Sequence, residues 1–165
     1  MNTLAQHQPR TQPNPWLALA GFLAVTWIAP LLAAFSMPDD WFRSLAKPAW
    51  NPPDWLFGPV WSVLYTLMAI AAWRVWRSGP WSAVKTALIL YGIQLGLNAL
   101  WSPLFFSFHR PGLAFIDIVL LLLAIIATTV AFLRHDRVAA MCFAPYLAWV
   151  SFASVLNFEI WRLNS

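Results

Sequence analysis

Apolar positions fall into five long blocks separated by short polar or proline-bearing breaks. The first, WLALAGFLAVTWIAPLLAAFSM, covers residues 16–37. The second opens near Trp55 and closes at Arg74 to Arg77, where SGP (78–80) interrupts it. The third runs from Trp81 to about Phe108 and stops at HRPG (109–112). The fourth is the most uniformly apolar and ends at RHDR (134–137), and the last ends almost at the C-terminus. A bilayer's hydrocarbon core needs about 20 consecutive apolar residues per helix. The pattern therefore predicts an all-α membrane protein with helices over 16–37, 55–77, 81–108, 113–134 and 138–161. Short breaks force sequential helices to run antiparallel, so a five-transmembrane-helix bundle is expected. No internal repeat is visible, which counts against a transporter built from inverted halves.

The remaining segments set the domain plan. Residues 1–15 are polar, carry prolines and show no apolar period, so a disordered tail is expected there. A secretory signal is the rival reading of the first block, with Ala33 and Ala34 as a weak cleavage site. That block exceeds a signal core of roughly 7–15 residues and its leading segment carries only Arg10, so a retained helix is expected. Residues 16–162 then form a single membrane domain. In the loop 38–54, Asp39 and Asp40 are positioned to cap a short interfacial helix through Leu45, stopped by the Lys47–Pro48 step. The stretch KPAWNPPDW (47–55) holds three prolines, which stiffen it without helical hydrogen bonds. Trp50 and Trp55 suit headgroup depth. Because the aromatic stripe of the second helix begins two residues after Trp55, the segment reads as a preformed lid with Trp50 reaching inward.

Composition agrees with a lipid environment: of 165 residues, 61% are hydrophobic and only 10% charged, too few charges to cover a soluble surface. The formal charge of +4 is loop topology rather than a nucleic-acid footprint, because no basic cluster interleaves with aromatics in a soluble segment. Arg10, Arg74, Arg77, Lys85, Arg134 and Arg137 lie on the N-terminal side, against Arg43, Lys47, Arg110 and Arg162 on the other. That bias predicts a cytoplasmic N-terminus. Cys142 is the only cysteine, which excludes an internal disulfide and a cysteine metal cluster. Twelve tryptophans exceed what interfacial belts require.

Candidate chemistry is sought among polar groups inside the blocks, each of which is costly in lipid unless satisfied. Gln94 and Asn98 share one face of the third helix, continued by Trp101 and Phe105. Phe57, Trp61 and Tyr65 form an i, i+4, i+8 stripe on the second helix. The fifth carries Trp149, Ala153, Leu156 and Asn157. Asp117 is the only acid well inside the fourth. Separately these are core packing and interhelical glue; together they predict a large apolar cavity with a few convergent hydrogen-bonding groups. Gly92 and Gly96 form a GxxxG pair about 200° round the third helix from the Gln94/Asn98 face. They suit either tight packing within the bundle or a contact with another subunit. Enzyme constellations are absent: no paired carboxylates, GxSxG, phosphate-binding loop or HExxH, and His7, His109 and His135 lie in the tail or loops. No catalytic acid–base machinery, resident cofactor or metal site is expected.

The blocks KPAWNPPDWLFGPVWSVLYTLMAIAAWRVW, QLGLNALWSPLFF, LAFIDIVLL and PYLAWVSFASVLNF resemble, in order, the first loop and second to fifth helices of the TspO/MBR family of tryptophan-rich sensory and translocator proteins. The resemblance spans roughly residues 16–162. It implies a receptor, commonly a homodimer, that binds porphyrins and hydrophobic drug-like ligands, with protoporphyrin IX or another tetrapyrrole as ligand. Carried over, the cavity would use Trp50, Phe57, Trp61, Tyr65, Asn98, Trp149, Ala153 and Leu156. Trp61 and Trp149 match tryptophans implicated in light-dependent porphyrin breakdown. Regulation of tetrapyrrole level or stress signalling is the leading expectation, with porphyrin or lipid transport and photo-oxidative degradation as alternatives. The ligand's propionates are expected to seek Lys47, Arg43 or indole and amide donors. The chain departs from the family's sterol motif, reading VLNFEIWR with Phe158 where a tyrosine is required, so high-affinity cholesterol binding is not expected.

Overall fold

The computed structural model describes residues 14–36 and 38–165, and it is helical throughout its regular structure. Five helical segments are long and apolar enough to cross a membrane: Pro15–Ala33, Asp54–Arg77, Trp81–Ser107, Pro111–Leu133 and Arg137–Leu163. Within them the α-helices are α1 (Pro15–Ala33), α3 (Phe57–Arg77), α4 (Trp81–Ser102), α5 (Pro111–Leu133), and the last span's two pieces, α6 (Arg137–Cys142) and α7 (Ala144–Leu163). A short α2 (Asp40–Ser44) lies in the loop after α1. Of the tail expected over 1–15, residues 1–13 lie outside the described residues, whereas Asn14 and Pro15 open α1.

Local chemistry explains the boundaries. Asn14 caps α1 through its side chain, which accepts from the Trp16 amide at 3.0 Å, and Pro15 occupies the first helical position, where no amide is needed. The helix ends at Ala33, earlier than the apolar run. The third span keeps its length but changes form at Pro103. There, Pro103–Ser107 make a π-type turn in which the Phe108 amide donates to the Pro103 carbonyl at 2.9 Å. The fifth block is broken rather than continuous. Asp136 caps α6 by accepting from the Val138 and Ala139 amides, and Phe143 separates α6 from α7, two residues before Pro145.

Packing fixes where a site can form. α1 packs on α3 and α4, α4 on α5, and α5 on both α6 and α7. α3 meets the last span closely at α6, where the Arg74 and Asp136 side chains pair at 2.9 Å. Toward the loop, α3 and α7 part, and large side chains bridge the opening. Alanines Ala69, Ala71 and Ala72 bury one face of α3 completely and let its neighbours approach. At the other end, two hydrogen bonds between Asn164 and the Ala46 backbone, both 2.9 Å, tie the loop to the last turn of α7.

Candidate functional site

The opening between α3 and α7 is an apolar cavity of ≈ 650 Å³ that is open on its outer side, where Pro59, Val63, Pro145 and Ala148 are exposed. One wall is Leu56, Pro59, Val60, Val63 and Leu64; the facing wall is Pro145, Ala148, Trp149 and Phe152, and Pro52 of the loop closes one side. Pro145, Ala148, Trp149 and Phe152 recur at helical spacing, so one face of α7 is given to the cavity. Its size lies within the roughly 300–1,000 Å³ of small-molecule sites.

Behind this cavity sits a buried polar chain. The Tyr65 hydroxyl donates to Asn98 Oδ1, Asn98 Nδ2 donates to the Tyr146 hydroxyl at 3.1 Å, and that hydroxyl donates to Gln94 Oε1 at 3.0 Å. Gln94 Nε2 lies 3.8 Å from Met68 Sδ. All five residues are buried. The chain links α3, α4 and α7 in a setting without water, where an unmade hydrogen bond is costly. Trp61 stacks on Tyr65 with centroids 5.3 Å apart and meets Tyr146 edge-on at 6.2 Å. Phe57 touches Trp149 at 5.7 Å. The aromatic stripe is thus the partition between cavity and polar chain.

The structure distributes these expected site residues over four environments. Trp149 lines the cavity, and its indole Nε1 is buried with no acceptor. Phe57, Trp61, Tyr65 and Asn98 form the partition and the polar chain, behind the aliphatic wall rather than in it. Ala153 packs into the main core, and Leu156 belongs to a separate cluster with Phe105, Ala114 and Ile160, away from the cavity. Asn157, on the same helix, accepts from Trp101 Nε1 and donates to the Pro111 carbonyl, both at 2.9 Å. Trp149, Ala153 and Leu156 are spaced i, i+4, i+7 and share one face of α7, so it is not rotation that separates them: Leu156 lies about 10 Å further along the helix axis, where it packs on Phe105 and Ala114.

The lid also differs from expectation. Pro52, buried, is the loop residue in the wall, whereas Trp50 is 46% exposed and meets the cavity-lining Phe152 edge-on at 5.7 Å. Of the cations offered to a ligand's carboxylates, Lys47 is occupied. Its ammonium donates to the Phe42 carbonyl at 2.6 Å and lies near those of Leu45 and Arg43, closing the negative end of α2. Arg43 pairs with Asp40 at 3.0 Å on the surface, an exposed contact weak enough for a ligand carboxylate to displace.

Sequence reasoning missed Tyr146, the hub of the polar chain, and the wall residues Leu56, Val60, Val63, Ala148 and Phe152. Tyr146 stands one turn before Trp149, and that spacing is a usable signal. The wall residues carry none, because aliphatic positions facing a cavity read like those facing lipid.

Comparison with known proteins completes the description. The sequence profile of the TspO/MBR family matches residues 9–162. The chain belongs to the TspO/MBR family. It is 46% identical over 130 residues to the tryptophan-rich protein TspO of Chlorobaculum tepidum, covering 77% of this chain and 82% of the relative. It is 42% identical to protein CrtK of Rhodobacter capsulatus, covering 87% and 89%. The human translocator protein is 38% identical over 159 residues, covering 91% and 92%. The match runs through all five spans, and the chain is an integral multi-pass membrane protein. Membership in this family supports a receptor- or translocator-type role in the membrane.

Proposed function

We propose that this chain is a membrane receptor for porphyrins, protoporphyrin IX or haem-like tetrapyrroles, and for similar flat hydrophobic ligands, and that it regulates tetrapyrrole level or stress signalling. The observation that carries the reading is the ≈ 650 Å³ cavity between α3 and α7, apolar on every wall and bounded by Trp149. A macrocycle about 10 Å across gains most of its binding free energy from burying its apolar faces, and an indole wall adds stacking. The propionates would remain at the loop end of the cavity, beside Pro52 and Leu56. No cofactor is required for binding. The proposed assembly is a homodimer through the Gly92/Gly96 face of α4, with the N-terminus on the cytoplasmic side.

Titration of the purified protein with protoporphyrin IX, followed by tryptophan fluorescence, tests the site. Wild type should show saturable quenching. Ala148→Trp fills the cavity from one wall and should weaken half-saturation by about tenfold or more, the order expected from overpacking. No saturation in wild type, or equal half-saturation in the two proteins, rejects the cavity as the binding site.

One arrangement favours light-dependent porphyrin degradation as a second reading. Trp149 borders the cavity and meets Phe57 edge-on, and one turn further along α3 Trp61 stacks on Tyr65. An excited porphyrin there would exchange an electron with an indole or make oxygen reactive beside it. Illumination of the complex should then produce a new absorption spectrum that Trp149→Phe abolishes. A spectrum unchanged in light removes this reading and leaves the receptor.

A further inference from the structure

A second cleft, of ≈ 260 Å³, opens at the end of the bundle remote from the lid. Arg74, Arg77 and Ser78 enter it from the last turn of α3, and Asp136 from the turn between α5 and α6. Its chemistry suits an anion with several oxygens. Arg74 donates through Nη2 to Asp136 at 2.9 Å, while its Nε is buried with no acceptor. Arg77 lies 4.7 Å over the Trp73 ring, which orients the guanidinium while leaving its donors free. Asp136 neutralises Arg74, with which it pairs, and also accepts from the Val138 and Ala139 amides at 2.8 and 3.0 Å, so the uncompensated positive charge of the cleft is that of Arg77.

The surroundings indicate where such an anion would come from. Arg74, Arg77, Lys85, Arg134 and Arg137 gather at this end, with Asp136 as the one acid there among the described residues. Trp16 stacks on Trp73 at 6.2 Å, the Trp73 indole donates to the Pro15 carbonyl at 2.8 Å, and Trp81 is 62% exposed. Tryptophans grouped at one end of a bundle mark the headgroup level of a bilayer. Basic pockets between membrane helices at this level are matched to phosphate headgroups. We propose that the Arg74/Arg77 cleft binds the phosphodiester of an anionic phospholipid, at a site separate from the aromatic cavity. A zwitterionic headgroup brings its own cation next to the phosphate and is disfavoured beside two arginines.

The full-length protein in detergent micelles, titrated with dioleoylphosphatidylglycerol, dioleoylphosphatidylcholine or inorganic phosphate and followed by its thermal midpoint, tests this. Phosphatidylglycerol should raise the midpoint, and phosphatidylcholine and inorganic phosphate should not at the same concentration. Arg77→Gln should weaken the phosphatidylglycerol half-saturation about fivefold, the contribution of one basic side chain at an anionic surface. Arg77 is exposed at the last residue of α3, so this change spares the fold. Arg137→Gln removes the same charge at the same end but outside the cleft, and should leave half-saturation within about twofold. Native mass spectrometry, counting retained lipid, gives the same comparison without unfolding. Equal responses to the two lipids, an equal loss in Arg137→Gln, or inorganic phosphate acting as well as lipid would each overturn the proposal.

Discussion

At the level of single residues, Tyr146 shows how the bundle handles polarity. Its hydroxyl accepts from Asn98 and donates to Gln94, so one oxygen completes two amides of α4 from a position on α7. Replacement by phenylalanine keeps the ring, which packs against Trp61 and Phe143, but strands a buried donor and a buried acceptor. Tyr146→Phe should therefore destabilise the fold by about 1–2 kcal/mol, read as a lower free energy of unfolding in detergent. Asn98→Leu, which removes a partner of both tyrosines, should couple with it non-additively in a double-mutant cycle. Additive losses would show that the chain is a row of independent contacts. Asp117 is the contrasting residue: it is 4% exposed, and its Oδ2 has no partner among the described residues. An unpaired acid in lipid is expensive, so its substitution by asparagine should not lower stability as Tyr146→Phe does. A comparable loss in Asp117→Asn would reveal a partner supplied from outside the chain.

At the level of elements, α2 behaves as a clasp between the lid and the helical body. Asp39 caps it by accepting from the Phe42 amide at 3.1 Å, and its other oxygen meets His109 Nε2 at 2.9 Å. His109 also stacks on Trp41 with centroids 4.2 Å apart, and it holds a left-handed backbone at φ 51. The Phe42 amide above all, with His109 beside it, holds the Asp39 carboxyl below its ordinary range against the opposing effect of desolvation. A carboxyl with a depressed folded value stabilises the fold above the unfolded value, near 4, and loses that contribution as pH falls through the folded value. The clasp should therefore open in acid: amide exchange over residues 40–46 should accelerate below about pH 4, more than in α5. Asp39→Asn, which still accepts from the Phe42 amide, should reduce that acid-dependent acceleration. If residues 40–46 exchange with the same pH dependence in both proteins, the Asp39 contacts do not control the lid.

At the level of the whole molecule, the cavity exists because α3 and the last span meet at one end of the bundle and part at the other. Arg74 and Asp136 hold α3 to the start of the last span, and the partition residues Phe57, Trp61, Trp149 and Tyr146 prop the other end open. The outer surface bears on assembly as well. Gly92 and Gly96 are exposed on α4, and a Cβ built on either meets nothing within 4 Å. Tight packing inside the bundle, one of the two readings of this pair, is thereby excluded. Leucine at position 96 strains no contact of the protomer, so its effect isolates the contact with a second copy. Gly96→Leu should convert the proposed dimer to a monomer in cross-linking and light scattering, with porphyrin binding retained. A variant that remains dimeric in detergent and in lipid places the interface elsewhere.

The five spans, their order and their breaks were legible in the sequence, because a bilayer imposes length and apolarity on each helix separately and no partner is needed to read them. Capping by Asp39 and the stop after α2 were legible for the same reason, as interactions within a few residues. Gln94, Asn98 and Tyr65 could be marked as costly groups needing partners, since cost in lipid is a property of the residue. Which partners they found was not legible. Tyr146 reaches Asn98 and Gln94 across 48 and 52 positions of chain, and only the packing of α7 against the bundle brings them together. The same holds for the cavity. Phe57, Trp61 and Tyr65 were read as its lining, but the rotation of α3 turns them inward and gives the wall to Leu56, Val60 and Val63. An aliphatic residue has the same sequence signature whether it faces lipid, a cavity or a core, so that rotation, and with it the site, was decided by tertiary structure alone.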